Sequence, residues 1–229
     1  PLLELLTRYI QSANTSVFKT NLDINPSGKP MGTTLAACLV SPKKVHICNV
    51  GDSRVYHLRD GEIITRTEDH SWVDEQVKQG LMSKSEAEAD VRKNVVTRSI
   101  GTRADVVVDS YRWHIVPGDW ILVCSDGLVN MVKDPDICAE FKKGGSAAEI
   151  AARLVNLANE NGGKDNITVI AANISPSPFR LIFFKLRAIK RRHGYKLLWF
   201  VVSVLLGLAG FVAGYLYHSR VGAVPLLDR

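Results

Sequence analysis

Short runs of apolar residues, separated by polar turns, dominate residues 1–174 of this chain. The runs are four to ten residues long and rich in Val, Ile and Leu, which is typical of β-strands. Asp60-Gly61 lies between two of them and is a strong signal for a two-residue hairpin. We therefore predict strands over residues 33–40, 45–50, 55–58, 63–67, 95–100, 106–115, 120–124 and 167–174.

Helical spacing of apolar residues appears in three other segments. Residues 147–159 place Ile150, Leu154, Leu157 and Ala158 on one face, and residues 72–79 predict a shorter helix. The chain also opens on an amphipathic helix that carries Leu2, Leu3, Leu6, Tyr9, Ile10, Ala13 and Val17.

The arrangement of these elements predicts the fold class. Many strands linked by hairpins, with few helices between them, favour two stacked antiparallel sheets flanked by helices rather than a βαβ repeat. We expect an α+β fold, an α-β-β-α sandwich, over residues 1–174. The polar, Lys- and Glu-rich segment 71–94 interrupts the strands, and we interpret it as a flap outside the core.

Charge divides the chain into two parts. Residues 175–229 hold nine of the 29 Lys and Arg residues but only one of the 23 acids, Asp228. The remaining 174 residues therefore carry 20 basic and 22 acidic side chains. The high isoelectric point describes the C-terminal part alone, so it gives no reason to expect nucleic-acid binding.

The C-terminal part has the pattern of a membrane anchor. Residues 197–217 form a run of 21 residues without a charge, which is long enough for one transmembrane helix. Seven cations precede the run within residues 175–196, a basic juxtamembrane linker suited to anionic lipid, and two follow it within 218–229. This asymmetry places residues 1–174 in the cytoplasm and the short tail 218–229 outside, at the cell membrane. Gly207, Gly210 and Gly214 share one face, which allows a weak helix–helix dimer or reflects only the frequency of Gly in such helices.

Two aspartates lie where a strand meets a turn. Asp126-Gly127 follows the apolar run 120–124, and Asp165 immediately precedes the last predicted strand. Carboxylates at such positions are suited to hard cations such as Mg²⁺ and Mn²⁺, although each pair of residues alone is more often an ordinary turn.

Six short motifs, taken in order, resemble the motif set of the PPM family, the protein phosphatase 2C-like phosphatases, and most closely its compact bacterial members. They are Met31-Gly32-Thr33-Thr34, Asn49-Val50-Gly51-Asp52-Ser53-Arg54, Thr67-Glu68-Asp69-His70-Ser71, Val96-Thr97-Arg98-Ser99-Ile100-Gly101, Cys124-Ser125-Asp126-Gly127 and Lys164-Asp165-Asn166-Ile167-Thr168. The resemblance implies a protein serine/threonine phosphatase with two Mn²⁺ or Mg²⁺ ions per active site.

Individual residues take expected roles from the same resemblance. Asp126 and Asp165 match aspartates that hold the second metal of the binuclear centre, and Asp52 matches the acid that shares a third, weaker metal with Asp126. In the family, a metal-activated water attacks the phosphorus directly. Asp69, Ser71 and Arg98 lie in family motifs without an assigned role, and Arg98 is expected to be structural. Expected partners are phosphorylated proteins and a cognate serine/threonine kinase.

Two family features are not found in residues 1–31. These are an Arg that grips phosphate and an Asp-Gly-x-Gly-Gly segment whose Asp bridges both metals; Asp23 lacks the glycines. We therefore expect an N-terminally truncated domain without its first strands, which binds the metal pair poorly and has little activity alone.

Two other functions compete with the phosphatase interpretation. Cys48 and Arg54 satisfy the C-x₅-R spacing of cysteine-dependent phosphatases, although no helix is predicted after Arg54. The second is a membrane-anchored pseudophosphatase that binds phosphoproteins without hydrolysing them. An upstream Asp-Gly-x-Gly-Gly segment would favour the enzyme over the binding module.

Overall fold

The computed structural model describes residues 2–24 and 28–175. Within these residues the helices are α1 (Leu2–Ile24), α2 (Trp72–Lys78), α3 (Lys84–Ala89), α4 (Asp126–Val129), α5 (Asp134–Lys142) and α6 (Ala147–Glu160). The strands are β1 (Leu35–Ser41), β2 (Lys44–Val50), β3 (Arg54–Arg59), β4 (Glu62–Arg66), β5 (Asp109–His114), β6 (Trp120–Cys124) and β7 (Val169–Asn173).

These strands form two antiparallel sheets, as the sequence predicts. One sheet has the order β1-β2-β5 and the other has the order β4-β3-β6-β7. Asp60 and Gly61 form the predicted turn between β3 and β4, with φ angles of 52° and 75°. Both central residues of a type I′ turn need positive φ, which is why Asp-Gly suits this position.

Three apolar clusters divide the described fold into four layers. Val45 and Ile47 of one sheet contact Val55 and Ile121 of the other, so the sheets pack face to face. Helix α1 covers the outer face of the three-stranded sheet through Ile10. The opposite face of the four-stranded sheet packs against helices α4, α5 and α6, with the buried residues Tyr56, Leu58, Leu122, Leu128, Ile137, Phe141, Ile150 and Leu154. The predicted helix–sheet–sheet–helix arrangement is therefore confirmed for these residues.

The prediction of a strand over residues 95–100 is wrong. Only Val96 and Ile100 form β-bridges, to Ser71 and Thr33 respectively. Between them, the Thr97 hydroxyl donates to Glu75 and Arg98 pairs with Asp109. These residues therefore form a loop rather than a strand. The strand predicted over 106–115 is shorter than expected and spans Asp109–His114.

Two helices were missed by the sequence analysis. Helix α4 is a single turn that begins at Asp126, too short to show periodicity. Helix α5 does carry recognisable signals: Pro135 lies in its first turn, Asp134 and Asp136 are acidic there, and Ile137 and Phe141 are buried four residues apart.

The predicted membrane segment cannot be compared with this fold. The span 197–217, most of the basic linker 175–196, the tail 218–229 and the Gly207, Gly210 and Gly214 face lie outside the described residues. Among residues 2–24 and 28–175, no helix is both long enough and apolar enough to cross a bilayer.

Candidate metal centre and active-site cleft

Asp52 lies on a sharp turn that follows strand β2. Gly51 adopts φ +105°, and a Cβ atom there would lie only 2.3 Å from the Thr34 methyl group. The position therefore requires glycine both for its conformation and for its space. The Thr34 and Ser53 hydroxyls form a hydrogen bond of 2.8 Å. This bond ties the turn that carries Asp52 to the residue before strand β1.

Asp126 and Asp165 are brought together by a close approach of two backbone segments. Asp126 begins α4 directly after β6, and Asp165 precedes β7, the neighbouring antiparallel strand. A Cβ atom on Gly127 would lie 2.3 Å from the carbonyl oxygen of Asn166, so only glycine permits this spacing. The Ser125 hydroxyl fastens the same two segments, donating to the Asn166 carbonyl and accepting from the Thr168 amide.

Neighbouring carboxylates influence the pKa values of two of the three predicted ligands, Asp52 and Asp126. Burial and then the charge of Asp126 raise the pKa of Asp52 to about 6. Burial and then the charge of Asp165 raise the pKa of Asp126. The charge of Asp126 acts on Asp52 and the charge of Asp165 acts on Asp126, so Asp52 and Asp165 both lie near Asp126.

The nearby Asp69 is held in a different way. Its carboxylate accepts three hydrogen bonds from Arg54, at 2.7, 2.8 and 3.0 Å, and only 8% of the residue is exposed. Arg54 also donates to the hydroxyl of Tyr56, which donates to Asp134. Asp69 is thus the partner of a structural arginine, which the sequence could not show.

A cleft of about 480 Å³ lies between the flap helices and the aspartates. Its wall includes Asp52, Asp69 and Asp126 on one side and residues of the predicted flap, among them Lys84, Ala87, Glu88, Lys93 and Asn94, on the other. The flap begins and ends at the Ser71–Val96 bridge, so its base is fixed beside the site. Asp165 does not line this cleft.

His70 was not assigned a role by the sequence analysis, although it lies within one of the quoted motifs. Only 1% of the residue is exposed, and its ring lies between the Gly51 amide and the Asp109 carboxylate. Burial lowers the pKa of His70. Burial alone would raise the pKa of Asp109, but hydrogen bonds and charges from His70 and Arg98 lower it. Arg98 pairs with Asp109 at 2.8 Å, as expected for a structural arginine.

The C-x₅-R interpretation is wrong. Cys48 is fully buried on β2 beneath α1, where its sulfur lies 3.6 Å from the hydroxyls of Thr7 and Ser110. The Arg54 guanidinium pairs with Asp69. Arg54 also begins strand β3, so a strand and not a helix continues from it. The thiol and the guanidinium therefore do not form a phosphate-binding loop.

The donor set fits Mg²⁺ or Mn²⁺ in kind, because these ions prefer carboxylate oxygens. Asp126 would be the shared ligand, with Asp165 and Asp52 as its neighbours. In residues 2–24 and 28–175, however, no group of three or more acidic, His or Cys side chains is arranged to hold an ion by itself.

Known proteins resemble this chain in both sequence and fold. A serine/threonine phosphatase (Stp) of Listeria welshimeri is 38% identical over 168 residues, which are 72% of this chain and 65% of that protein. The Mycobacterium tuberculosis serine/threonine phosphatase PstP/Ppp superimposes with a TM-score of 0.71 at 32% identity, over 76% of this chain and 73% of that one. A PstP catalytic domain solved with two manganese ions gives a TM-score of 0.68 at 32% identity, over 77% and 73% of the two chains.

The chain thus spans 65% of the length of its Listeria relative. The family model for protein phosphatase 2C matches residues 6–169, which include all the aspartates described above and the flap. The match covers more than half of the chain and agrees with the two-sheet fold. The chain therefore belongs to the protein phosphatase 2C family.

Proposed function

We propose that this chain is the greater part of a protein serine/threonine phosphatase that hydrolyses phosphoserine and phosphothreonine at a binuclear Mn²⁺ or Mg²⁺ centre. The observation that carries the proposal is that Asp52 and Asp126 line one cleft and that the pKa of each is raised by burial and by a neighbouring carboxylate, which for Asp126 is Asp165. Relatives that match 72% of the chain are serine/threonine phosphatases.

The chain's own residues would prepare the site in three ways. Asp126 and Asp165 hold negative charge at adjacent strand ends, and Asp52 adds a carboxylate from the sharp turn after β2. Bound metal ions would lower the pKa of a water molecule and would place positive charge near the phosphoryl oxygens. The flap helices narrow the approach to these residues, so they would contact the polypeptide around the phosphorylated side chain.

The direct test is Mn²⁺-dependent hydrolysis of a phosphothreonine peptide. The protein is expressed from the complete reading frame that contains residue 1 and is compared with its Asp126→Ala and Asp165→Ala variants. We expect each variant to lose at least 100-fold in activity, of the order seen when a metal ligand is removed. Asp60→Asn, on the β3–β4 hairpin turn, is the matched control and should retain activity. Full activity in either metal-site variant would contradict the assignment.

A second candidate function is the phosphoprotein-binding pseudophosphatase. The finding that favours it is that the described residues do not supply a complete set of three metal ligands. The protein from the complete reading frame could bind the phosphopeptide but release no phosphate with Mn²⁺. That result would support the binding function and contradict phosphatase activity.

We also propose that the chain is anchored in the cell membrane by residues 197–217, with residues 1–174 in the cytoplasm. The support is the uncharged run of 21 residues, with seven cations before it and two after it. A cognate membrane-bound kinase and its substrates would then be the natural partners. Fractionation tests the anchor: residues 1–229 should sediment with membranes and resist extraction by carbonate, whereas release by carbonate would contradict the proposal.

A further inference from the structure

His70 joins three parts of the site through hydrogen bonds. Its Nδ1 accepts a hydrogen bond from the Gly51 amide at 3.0 Å, and its own amide donates to the Gly51 carbonyl at 3.1 Å. Its Nε2 lies 3.2 Å from Asp109 Oδ2. Its carbonyl accepts from the Thr97 amide at 2.8 Å, where the flap returns to the core.

This geometry fixes the tautomer of the ring. A nitrogen that accepts a hydrogen bond from a backbone N–H must carry a lone pair, so Nδ1 is unprotonated. The proton is then on Nε2 and is donated to Asp109. The Arg98 Nη1 atom lies 3.4 Å from Nε2 but only 2.8 Å from Asp109, so its hydrogen bond is to the carboxylate.

The consequence concerns Asp52, the residue after Gly51. His70 hydrogen-bonds both backbone groups of Gly51: its ring accepts from the N–H, and its own amide donates to the C=O. Gly51 is also the residue of this turn that has a positive φ angle. The next residue, Ser71, begins the flap through its bridge to Val96. A single buried residue, through its ring and its backbone, thus ties the turn that carries Asp52 to the base of the flap.

We propose that His70 is a positioning residue that orients Asp52 for metal binding and sets the turn at residues 51–53 against the flap, with Asp109 selecting the required tautomer. The inference rests on the proposed function, because it gives Asp52 a metal to bind. It adds a residue that acts through the Gly51 peptide and touches neither metal nor substrate. Partners that orient ligands typically change metal affinity 10- to 100-fold when they are removed.

Two nearly isosteric substitutions separate this role from simple packing. In His70→Asn, the amide oxygen lies two bonds from Cβ, as Nδ1 does, so it can accept from Gly51 but cannot reach Asp109. In His70→Gln, the amide group lies three bonds from Cβ, as Nε2 does, so it can donate to Asp109 but leaves the Gly51 amide without its acceptor. Both variants remove the ring, so a packing role predicts equal effects.

The first measurement uses the full chain with ¹⁵N-labelled histidine and glycine. We expect the His70 ring to show the Nε2–H tautomer and a through-hydrogen-bond coupling between its Nδ1 and the Gly51 amide nitrogen. The Gly51 amide should remain protected from hydrogen exchange in His70→Asn and become at least tenfold less protected in His70→Gln. An Nδ1–H tautomer, or equal loss of protection in both variants, would overturn the proposal.

The second measurement is Mg²⁺ affinity, read from the chemical-shift change of the Ser53 amide for the Asp52 position and of the Asn166 amide for Asp165. We expect His70→Gln to weaken binding at Ser53 about tenfold and His70→Asn to change it less than about threefold. Equal Ser53 affinities in the two variants, with a normal shift change at Asn166, would overturn the inference alone. A wild-type chain without a shift change at either amide, also when expressed from the complete reading frame, would instead contradict the proposed function and the inference that rests on it.

Discussion

The two ends of strand β6 place a carboxylate in opposite electrostatic surroundings. Asp119, directly before the strand, is fully buried and accepts hydrogen bonds from Arg59 at 2.7 and 3.0 Å and from the Val116 amide at 2.8 Å. It also lies 2.8 Å from Nε2 of His57. Burial would raise the pKa of Asp119, but these partners, Arg59 above all, lower it to about 2. At the other end, Asp126 accepts a side-chain hydrogen bond only from Asn130, at 3.4 Å, within the described residues, and burial and then the charge of Asp165 raise its pKa.

The difference separates a carboxylate with a protein cation as its partner from one that is next to other carboxylates. At Asp119 the protein supplies its own cation, so the charge is neutralised when the chain folds. At Asp126 the protein instead places two other carboxylates, Asp165 and Asp52, nearby. Repulsion among these like charges lowers the free energy of unfolding unless a cation is bound from solution. Perturbed carboxylates of this second kind are typical of functional sites.

The largest effect on stability is expected at the structural end. Asp119→Asn keeps the shape of the side chain but removes the charge that pairs with Arg59 and His57. We expect the free energy of unfolding in urea at pH 7 to fall by about 2–3 kcal/mol, because His57 is left buried without its partner. Asp60→Asn, on an exposed turn of the same region, should change it by less than about 0.5 kcal/mol. Equal effects would remove the basis of the comparison.

The pH dependence of this variant provides an independent check. The pKa of Asp119 is lower in the folded protein than its usual value of 3.8, so its contribution is complete above about pH 4 and is lost as the pH falls towards 2. The stability difference between the wild type and Asp119→Asn should therefore shrink over that window. A constant difference down to pH 2 would show that the ion pair is not its cause.

A smaller effect is expected from the glycines that flank β6. A Cβ at Gly127 meets a backbone oxygen at 2.3 Å, so Gly127→Ala must push the Asp126 and Asp165 segments apart. We expect a loss of about 2 kcal/mol in unfolding free energy. Gly118 has φ +98° but open space around it, so Gly118→Ala should cost about 1 kcal/mol from backbone strain alone. Only Gly127→Ala should also weaken Mn²⁺ binding.

The smallest effect has the opposite sign. Because the pKa of Asp52 is raised from 3.8 to about 6 by folding, its ionised form is destabilising: stability is intact below about pH 4 and declines as the pH rises through 6. Asp52→Asn should therefore stabilise the metal-free protein, measured in EDTA at pH 7.5, by about 1 kcal/mol after allowance for its partial exposure. A destabilised variant under these conditions would show that Asp52 has a structural partner.

Hydrophobic periodicity predicted most of the described fold, and ordered motifs predicted the acidic residues of the site. The hairpin at Asp60-Gly61 and the positions of Asp126 and Asp165 depend on local chemistry that is visible in the sequence. Residues 95–100 were mistaken for a strand because Val and Ile occur there, whereas tertiary contacts of Thr97 and Arg98 make them a loop.

Other features depend on contacts between distant residues and could not be predicted. The pairing of Asp69 with Arg54 links two motifs 15 residues apart and decides that Asp69 is structural. The hydrogen bonds of His70 to Gly51 and Asp109 join residues 19 and 39 positions away along the chain. The order of the motifs identifies candidate residues. Only the fold shows which of these residues form hydrogen bonds with one another.

The most direct test of the comparison is the Mn²⁺ affinity of the protein from the complete reading frame, measured calorimetrically for the wild type, Asp126→Asn and Asp119→Asn. If the open end of β6 binds a cation from solution, Asp126→Asn should lose at least about tenfold in affinity. Asp119→Asn, which disturbs only the end that is already neutralised, should remain within about twofold of the wild type. Unchanged affinity in Asp126→Asn, or equal losses in both variants, would contradict the account.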